Sequence, residues 1–238
     1  MADEGEDRRE GGRQSYGRKR GRPLRAGRRR LFDELLPEIA VAAPPPGALD
    51  LAALWGGGGR ETWLEIGFGA GEHLAWQAAR HPAIGFIGAE VYEAGIGALL
   101  SALARDGLTN IRIHPGDAAA LLEALPDASI GRAFVLFPDP WPKRRHWKRR
   151  FVGAAGLAGL ARVLADGAEL RLATDDPSYL VWMLRHLLAS PDFTWTARSA
   201  RDWLARPEDW PATRYEAKAI RAGRRPCYLR LRRRSRGS

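Results

Sequence analysis

The chain has 238 residues, 45% of them hydrophobic, and a formal net charge of +10. That is enough for one sizeable core. The single cysteine, Cys227, excludes an intrachain disulfide and a multi-thiolate metal site, and no apolar run reaches the roughly 18 residues that a transmembrane helix requires.

No metal and no membrane contact are therefore expected. The charged, Gly-rich start has no apolar segment of the kind a secretory signal needs, so a cytoplasmic location is expected. The charge is segregated. Residues 1–30 hold 11 Lys and Arg, residues 143–150 hold 6 and residues 214–236 hold 10, which is 27 of the 38 bases but only 6 of the 28 acids. An acidic body carrying three basic segments has the form of a phosphate-backbone footprint. A merely Arg-rich composition would explain the excess of Arg over Lys but not the segregation.

Residues 1–28 hold almost nothing apolar and are expected to be a disordered basic arm. Residues 29–60 read as an N-terminal helix and linker. Leu31, Phe32, Leu35, Leu36 and Ile39 fall at helical spacing, three consecutive prolines mark a linker over 42–49, and Gly56 to Gly59 form a turn. Residues 61–238 read as one α/β domain. Strands are expected at 62–66, 85–91, 111–114, 133–137 and 170–173, each followed by a helix: 70–80, 94–105, 118–125, 149–164 and 177–188. Five such units predict a parallel sheet covered on both faces, with right-handed crossovers. Strand-like stretches at 193–198 and 227–232, with a long Trp- and Arg-rich connection between them, predict an antiparallel addition.

The first strand runs into Leu64-Glu65-Ile66-Gly67-Phe68-Gly69-Ala70-Gly71. Such glycines let a turn fold tightly and bring backbone close to a ligand. Glu90 ends the second strand about 20 residues further on, where a carboxylate accepts from ribose hydroxyls in doubly wound sheets. Asp117 follows the third strand, within reach of an adenine amino group, and Asp139 follows the fourth. Each acid alone could be a helix N-cap. Four in series make an edge that repels a pyrophosphate and attracts a cationic cofactor. S-adenosylmethionine carries a sulfonium and an ammonium, so the edge favours a methyltransferase over a nicotinamide enzyme.

Asp139 lies in Phe137-Pro138-Asp139-Pro140-Trp141, where two prolines stiffen the backbone around it. Six cations without an acid follow within Lys143 to Arg150.

These pieces resemble the bacterial tRNA (guanine-N(7)-)-methyltransferase family. The matching segments are Leu-Glu-Ile-Gly-Phe-Gly at 64–69, Gly-Ala-Glu-Val at 88–91, Phe-Pro-Asp-Pro-Trp-x-Lys-x-Arg-His-x-Lys-Arg-Arg at 137–150, Ala-Thr-Asp at 173–175 and Thr-Arg-Tyr-Glu at 213–216. The basic Gly-Arg-Pro-Leu at 21–24 also looks like the family's N-terminal arm. Pro142 departs from the family, where many members carry His, and Tyr215 stands where Phe is also common.

The resemblance implies a Rossmann-like class I S-adenosylmethionine-dependent methyltransferase, α/β, with a mostly parallel sheet and an antiparallel C-terminal addition. It implies cofactor contacts at Glu65, Gly67, Gly69, Glu90, Asp117 and Asp139, with Asp139 catalytic. It implies substrate contacts at Lys143, Asp175, Thr213, Arg214, Tyr215 and Glu216, and RNA contacts at Arg145, His146, Trp147, Lys148, Arg149 and Arg150. The partner implied is tRNA, methylated at the guanine of its variable loop (position 46).

The chemistry is consistent. Ring nitrogen 7 of guanine carries an in-plane lone pair and no proton, so it attacks a sulfonium methyl without a general base, and catalysis reduces to positioning and electrostatics. A carboxylate such as Asp175 or Glu216 suits the two adjacent donors of guanine's Watson–Crick edge. Asp139 suits the positive charge appearing on the methylated ring. Trp141 and Trp147 offer either stacking surfaces for a base or core packing, with core packing favoured for Trp141. His146 reads as a phosphate or structural contact, and Thr213 equally as a helix cap or a ligand. An exocyclic-amine methyltransferase and a non-catalytic RNA-binding module on the same fold are the competing readings. The first would show an Asp/Asn-Pro-Pro-aromatic loop, and the second would have no need of four acids.

Overall fold

The computed structural model describes residues 23–237. Its strands are β1 (Thr62–Ile66), β2 (Gly85–Ala89), β3 (Ile111–His114), β4 (Ile130–Leu136), β5 (Leu164–Thr174), β6 (Phe193–Trp195) and β7 (Cys227–Arg233). They form one sheet in the order β3-β2-β1-β4-β5-β7-β6. β1 pairs in parallel with β2 and β4, β2 with β3, and β4 with β5. β7 runs antiparallel between β5 and β6, the addition expected from the helix-free end of the chain. Strand order reverses between β1 and β4, and the carboxyl ends of strands open a crevice at such a switch point.

Helices α1 (Ala26–Glu34), α2 (Leu36–Ile39), α3 (Leu51–Leu54), α4 (Glu72–Arg80), α5 (Glu93–Asp106), α6 (Ala118–Ala124), α7 (Ala154–Val163), α8 (Pro177–Ala189), α9 (Arg201–Leu204) and α10 (Arg214–Arg221) complete the chain. Strand residues alternate between the two faces. Leu64, Ile66, Ile87, Val135, Leu170 and Leu172 pack with Leu121 of α6, Leu160 of α7 and Met183 of α8. On the other face Trp63, Phe86, Ile113 and Phe134 pack with Leu74 of α4 and Leu99 and Leu103 of α5. Among the described residues no helix is long and apolar enough to cross a membrane.

Two expectations need correction. The arm expected over 1–28 lies mostly outside the described residues, but Ala26 already opens α1. Leu31, Phe32 and Leu35 pack on the α5 side of the core, and that burial stabilises a helix which charge alone would not. The pairs Arg29–Asp33 and Arg30–Glu34, each 3.7 Å, add i,i+4 support. The helix expected over 149–164 starts only at Ala154. Arg144–Arg149 is instead a 3₁₀ turn, and Gly156 takes the carbonyl oxygen of Phe151 so close that a Cβ there would lie 2.0 Å from it.

Candidate functional site

A cleft of about 510 Å³ opens at the carboxyl ends of β1, β2 and β4, lined among others by Glu65, Gly67, Gly69, Glu90, Asp117 and Asp139. Gly67, Gly69 and Gly71 all have positive φ, between 57° and 75°. That left-handed backbone is strained for other residues. The loop sits directly on α5: a Cβ on Gly95 would be 2.2 Å from the Gly69 carbonyl oxygen.

The four acids differ in how they are held. Glu90 accepts from the backbone N–H of Gly69 at 2.8 Å with one oxygen and from those of Val91 (2.7 Å) and Tyr92 (2.9 Å) with the other. It thereby staples the glycine loop to the end of β2. Burial pushes its carboxyl above the usual glutamate range; the three N–H groups oppose that, and the charge of Asp139 adds to it. Glu65 is buried at the cleft floor and bonds His73 Nδ1 at 2.7 Å. Asp117 is the N-cap of α6, accepting from Ala119 N–H at 2.9 Å, and also lines the cleft, so the cap and the site readings hold together. Asp139 is exposed at the cleft wall, and no hydrogen bond or ion pair engages it among the described residues.

The stretch around Asp139 is strained at Phe137 (φ 50°) and Trp141 (φ 44°), a rare backbone for aromatic residues that persists only where surroundings enforce it. Arg150 supplies part of that enforcement. Its guanidinium donates to the Pro140 carbonyl at 2.7 Å and to Ser178 Oγ at 2.8 Å. It also lies over the rings of Trp147 and Tyr179. Arg150 is 5% exposed. Although it lines the cleft, it is a clamp on the motif rather than one of the surface cations for RNA, which corrects its expected role. Lys143, Arg144, Arg145 and Lys148 remain exposed on the 3₁₀ turn.

Both tryptophans are half-buried, and core packing, favoured for Trp141, is seen instead for Trp147. Trp141 lines the cleft with the Arg149 guanidinium 5.0 Å from its ring centroid. Trp147 packs edge-on against Trp182 at 5.7 Å. His146, half-buried, has its pKa pushed down by desolvation and then by Arg149, Arg145 and Lys143.

A sequence-family profile described as "Putative methyltransferase" matches residues 60–228. A tRNA (guanine-N(7)-)-methyltransferase of Rhodospirillum rubrum is 52% identical over 94% of this chain and 89% of its own length. One of Paramagnetospirillum magneticum is 51% identical over 93% of each. The chain belongs to the tRNA (guanine-N(7)-)-methyltransferase family. At the level of fold, an rRNA methylase from Streptococcus thermophilus superposes with a TM-score of 0.51 at 13% identity, covering 74% of this chain and 88% of that one. The sheet is thus the Rossmann-like class I methyltransferase sheet.

In this member of the tRNA (guanine-N(7)-)-methyltransferase family, the substrate positions implied by resemblance divide. Thr213 and Tyr215 line the cleft. Thr213 is also the N-cap of α10, accepting from Glu216 N–H at 3.2 Å, which makes Thr-Arg-Tyr-Glu a helix-capping sequence as well. Tyr215 lies over the glycine loop, its ring 3.2 Å from where a Cβ on Gly69 would be. Arg214 does not line the cleft itself but pairs with Glu72 of α4, which does. Glu216 is buried, receiving the Tyr228 hydroxyl at 2.5 Å and Arg206 at 3.3 Å. Asp175 is held by Arg224 at 2.6 Å. Neither Asp175 nor Glu216 is among the cleft-lining residues, and nor are Lys143, Arg145, His146 and Trp147.

His73 was not anticipated. It accepts from the Gln77 amide at 3.1 Å, and that amide also donates to the Asp209 carbonyl at 3.0 Å. His73 Nδ1–H therefore points at Glu65. The available signal was a histidine two residues past the glycine loop, on the helix facing the acid of β1.

Proposed function

We propose that this protein transfers the methyl group of S-adenosylmethionine to nitrogen 7 of a guanine in the variable loop of tRNA, position 46. The observation that carries this reading is the juxtaposition of a cleft lined by Glu65, Glu90, Asp117 and Asp139 with the exposed basic turn Lys143–Arg149. The donor set fits a cationic cofactor: carboxylates line the cleft, and the left-handed glycine loop leaves nothing within 4 Å of a Cβ on Gly67. When bound, the cofactor supplies an electrophilic methyl on a sulfonium.

The residues of the chain then divide the work. Glu90 fixes the loop and presents its remaining lone pairs toward the ribose position, Asp117 borders the adenine side, and Glu65 floors the cleft. Asp139 faces the reacting end. The new N–C bond forms from the guanine lone pair as the sulfur–carbon bond breaks, so positive charge moves onto the base while no proton moves. A fixed anion beside that base lowers the barrier. Asp175 is engaged by Arg224, and Glu216 by Tyr228 with Arg206, in this arrangement. Lys143, Arg145 and Lys148 neutralise backbone phosphates.

The test is methyl transfer from labelled cofactor to unmodified tRNA, mapped by chemical cleavage at 7-methylguanosine. A single cleavage in the variable loop supports the reading. Label on an exocyclic amine, or cofactor binding without transfer to any tRNA, would replace it with one of the competing functions.

A further inference from the structure

A second cavity of about 370 Å³ lies beside the cleft, lined on its far side by Arg28, Ala94, Gly95, Ala98, Arg214 and Lys218. The two cavities share the wall made by Gly69, Ala70, Tyr92 and Tyr215. Their chemistry differs. The cleft carries five carboxylates beside Lys148, Arg149 and Arg150, whereas the second cavity has three cations and no acid in its lining. Arg28 comes from α1, and Arg214 and Lys218 come from α10, elements far apart in sequence that meet over the start of α5. The floor of small residues, Ala94, Gly95 and Ala98, leaves room for a group the size of a phosphate and sugar. Glu72 pairs with Arg214 from outside the cavity and moderates one of the three charges.

We propose that this cavity receives a phosphodiester of the tRNA strand flanking the target guanine, held by Arg28 and Lys218, as the strand passes over Tyr215 into the methyl-transfer cleft. The inference rests on the tRNA reading above. Cationic side chains at fixed spacing on a concave surface bind phosphate oxygens and set the register of the strand without reading its sequence. The Tyr215 ring, 55% exposed between the two cavities, is a surface over which the backbone can turn while the guanine enters the cleft. The site thus measures the distance from a flanking phosphate to the reacting nitrogen and selects an extended, unstacked strand over a helical stem.

The experiment compares Arg28→Gln and Lys218→Gln, which keep the side-chain stem, with Arg185→Gln on exposed α8 as a charge-matched control. Full-length tRNA binding is measured at several salt concentrations, with the cofactor dissociation constant and thermal unfolding recorded for each variant. Each cavity variant should weaken tRNA binding on the order of tenfold and lower the slope of log affinity against log salt by about 0.7, while leaving cofactor affinity unchanged. The double variant should lose less than the product of the two, because both cations grip one group. Equal behaviour of the cavity variants and Arg185→Gln in a wild type that methylates tRNA would overturn the subsite alone. A wild type that leaves tRNA unmethylated would remove the functional reading itself.

Discussion

The two faces of the sheet are made by alternate residues of the same strands, yet they are different materials. Under α6, α7 and α8 the face is continuous hydrocarbon: Leu64, Ile66, Val135, Leu170 and Leu172. The opposite face begins as hydrocarbon under α4 and α5 and then becomes charged over β4, β5 and β7. Arg171, only 1% exposed, donates to Glu169 at 2.7 Å and to Asp209 at 2.7 Å. Glu169 also takes Arg230 at 2.9 Å and Arg132 at 3.3 Å. Buried charges like these lose hydration and add little net stability, so their presence points to a positioning role. They pin the segment around Asp209 and Trp210 to the sheet. That segment leads directly to Thr213 and Tyr215 at the cleft, and Gln77 ties it through His73 to Glu65. The apolar face sets the fold, and the charged face sets the site.

Adjacent residues on the two faces give the largest test. Arg171→Leu removes one of three arginine partners from Glu169 and the anchor of the exposed Asp209, and should cost about 1–3 kcal/mol, the scale of lost hydrogen bonds between charged groups. Leu172→Ala should cost about 2–5 kcal/mol through its cavity. Chemical denaturation measures both. The comparison is sharpened by kinetics on the folded fraction. Arg171→Leu should raise the KM for tRNA, whereas Leu172→Ala should leave it alone; equal kinetics would erase the division of labour.

Asp139→Asn comes next. Single-turnover rates should fall on the order of 10²-fold with tRNA binding retained, and a full rate would remove the electrostatic role. His73→Phe leaves Glu65 without its partner and should raise the cofactor KM roughly tenfold, the scale of one unsatisfied buried group. His73→Gln, which keeps a donor, should recover part of the loss.

The smallest effect is in pH dependence. The Glu90 carboxyl is raised by burial, so it takes up a proton at a higher pH than an ordinary glutamate. Its share of folding stability is therefore fully present below the ordinary glutamate pKa and is lost as pH rises through the raised value. Cofactor affinity runs the other way, falling on acidification from above the ordinary glutamate range. Isothermal titration across that range checks the limb, which Glu90→Gln should abolish.

Much of the site could be read from the chain because strand and helix alternate regularly. Once β1, β2, β3 and β4 were placed, their terminal acids had to share one edge. Side-chain direction inside the 3₁₀ turn could not be read, since its residues follow neither the strand nor the helix period. Hence Arg150, which closes that turn, looked like its cationic neighbours although it turns inward to Pro140 and Ser178, and Trp147 within the turn packs on Trp182. The charged face was also hidden: Arg171 is spaced as a strand residue whose partner, Asp209, arrives from a distant segment.

The most direct measurement uses tRNA carrying 7-deazaguanosine at the target position. This replaces the nucleophilic nitrogen with C–H and leaves the Watson–Crick edge and the backbone intact. The account predicts binding within about twofold of normal tRNA, inside the few-tenths kcal/mol scatter expected when no contact is lost, and no methyl transfer. Methyl incorporation into that tRNA at the normal rate would show that another atom is the acceptor and would contradict the assignment of nitrogen 7.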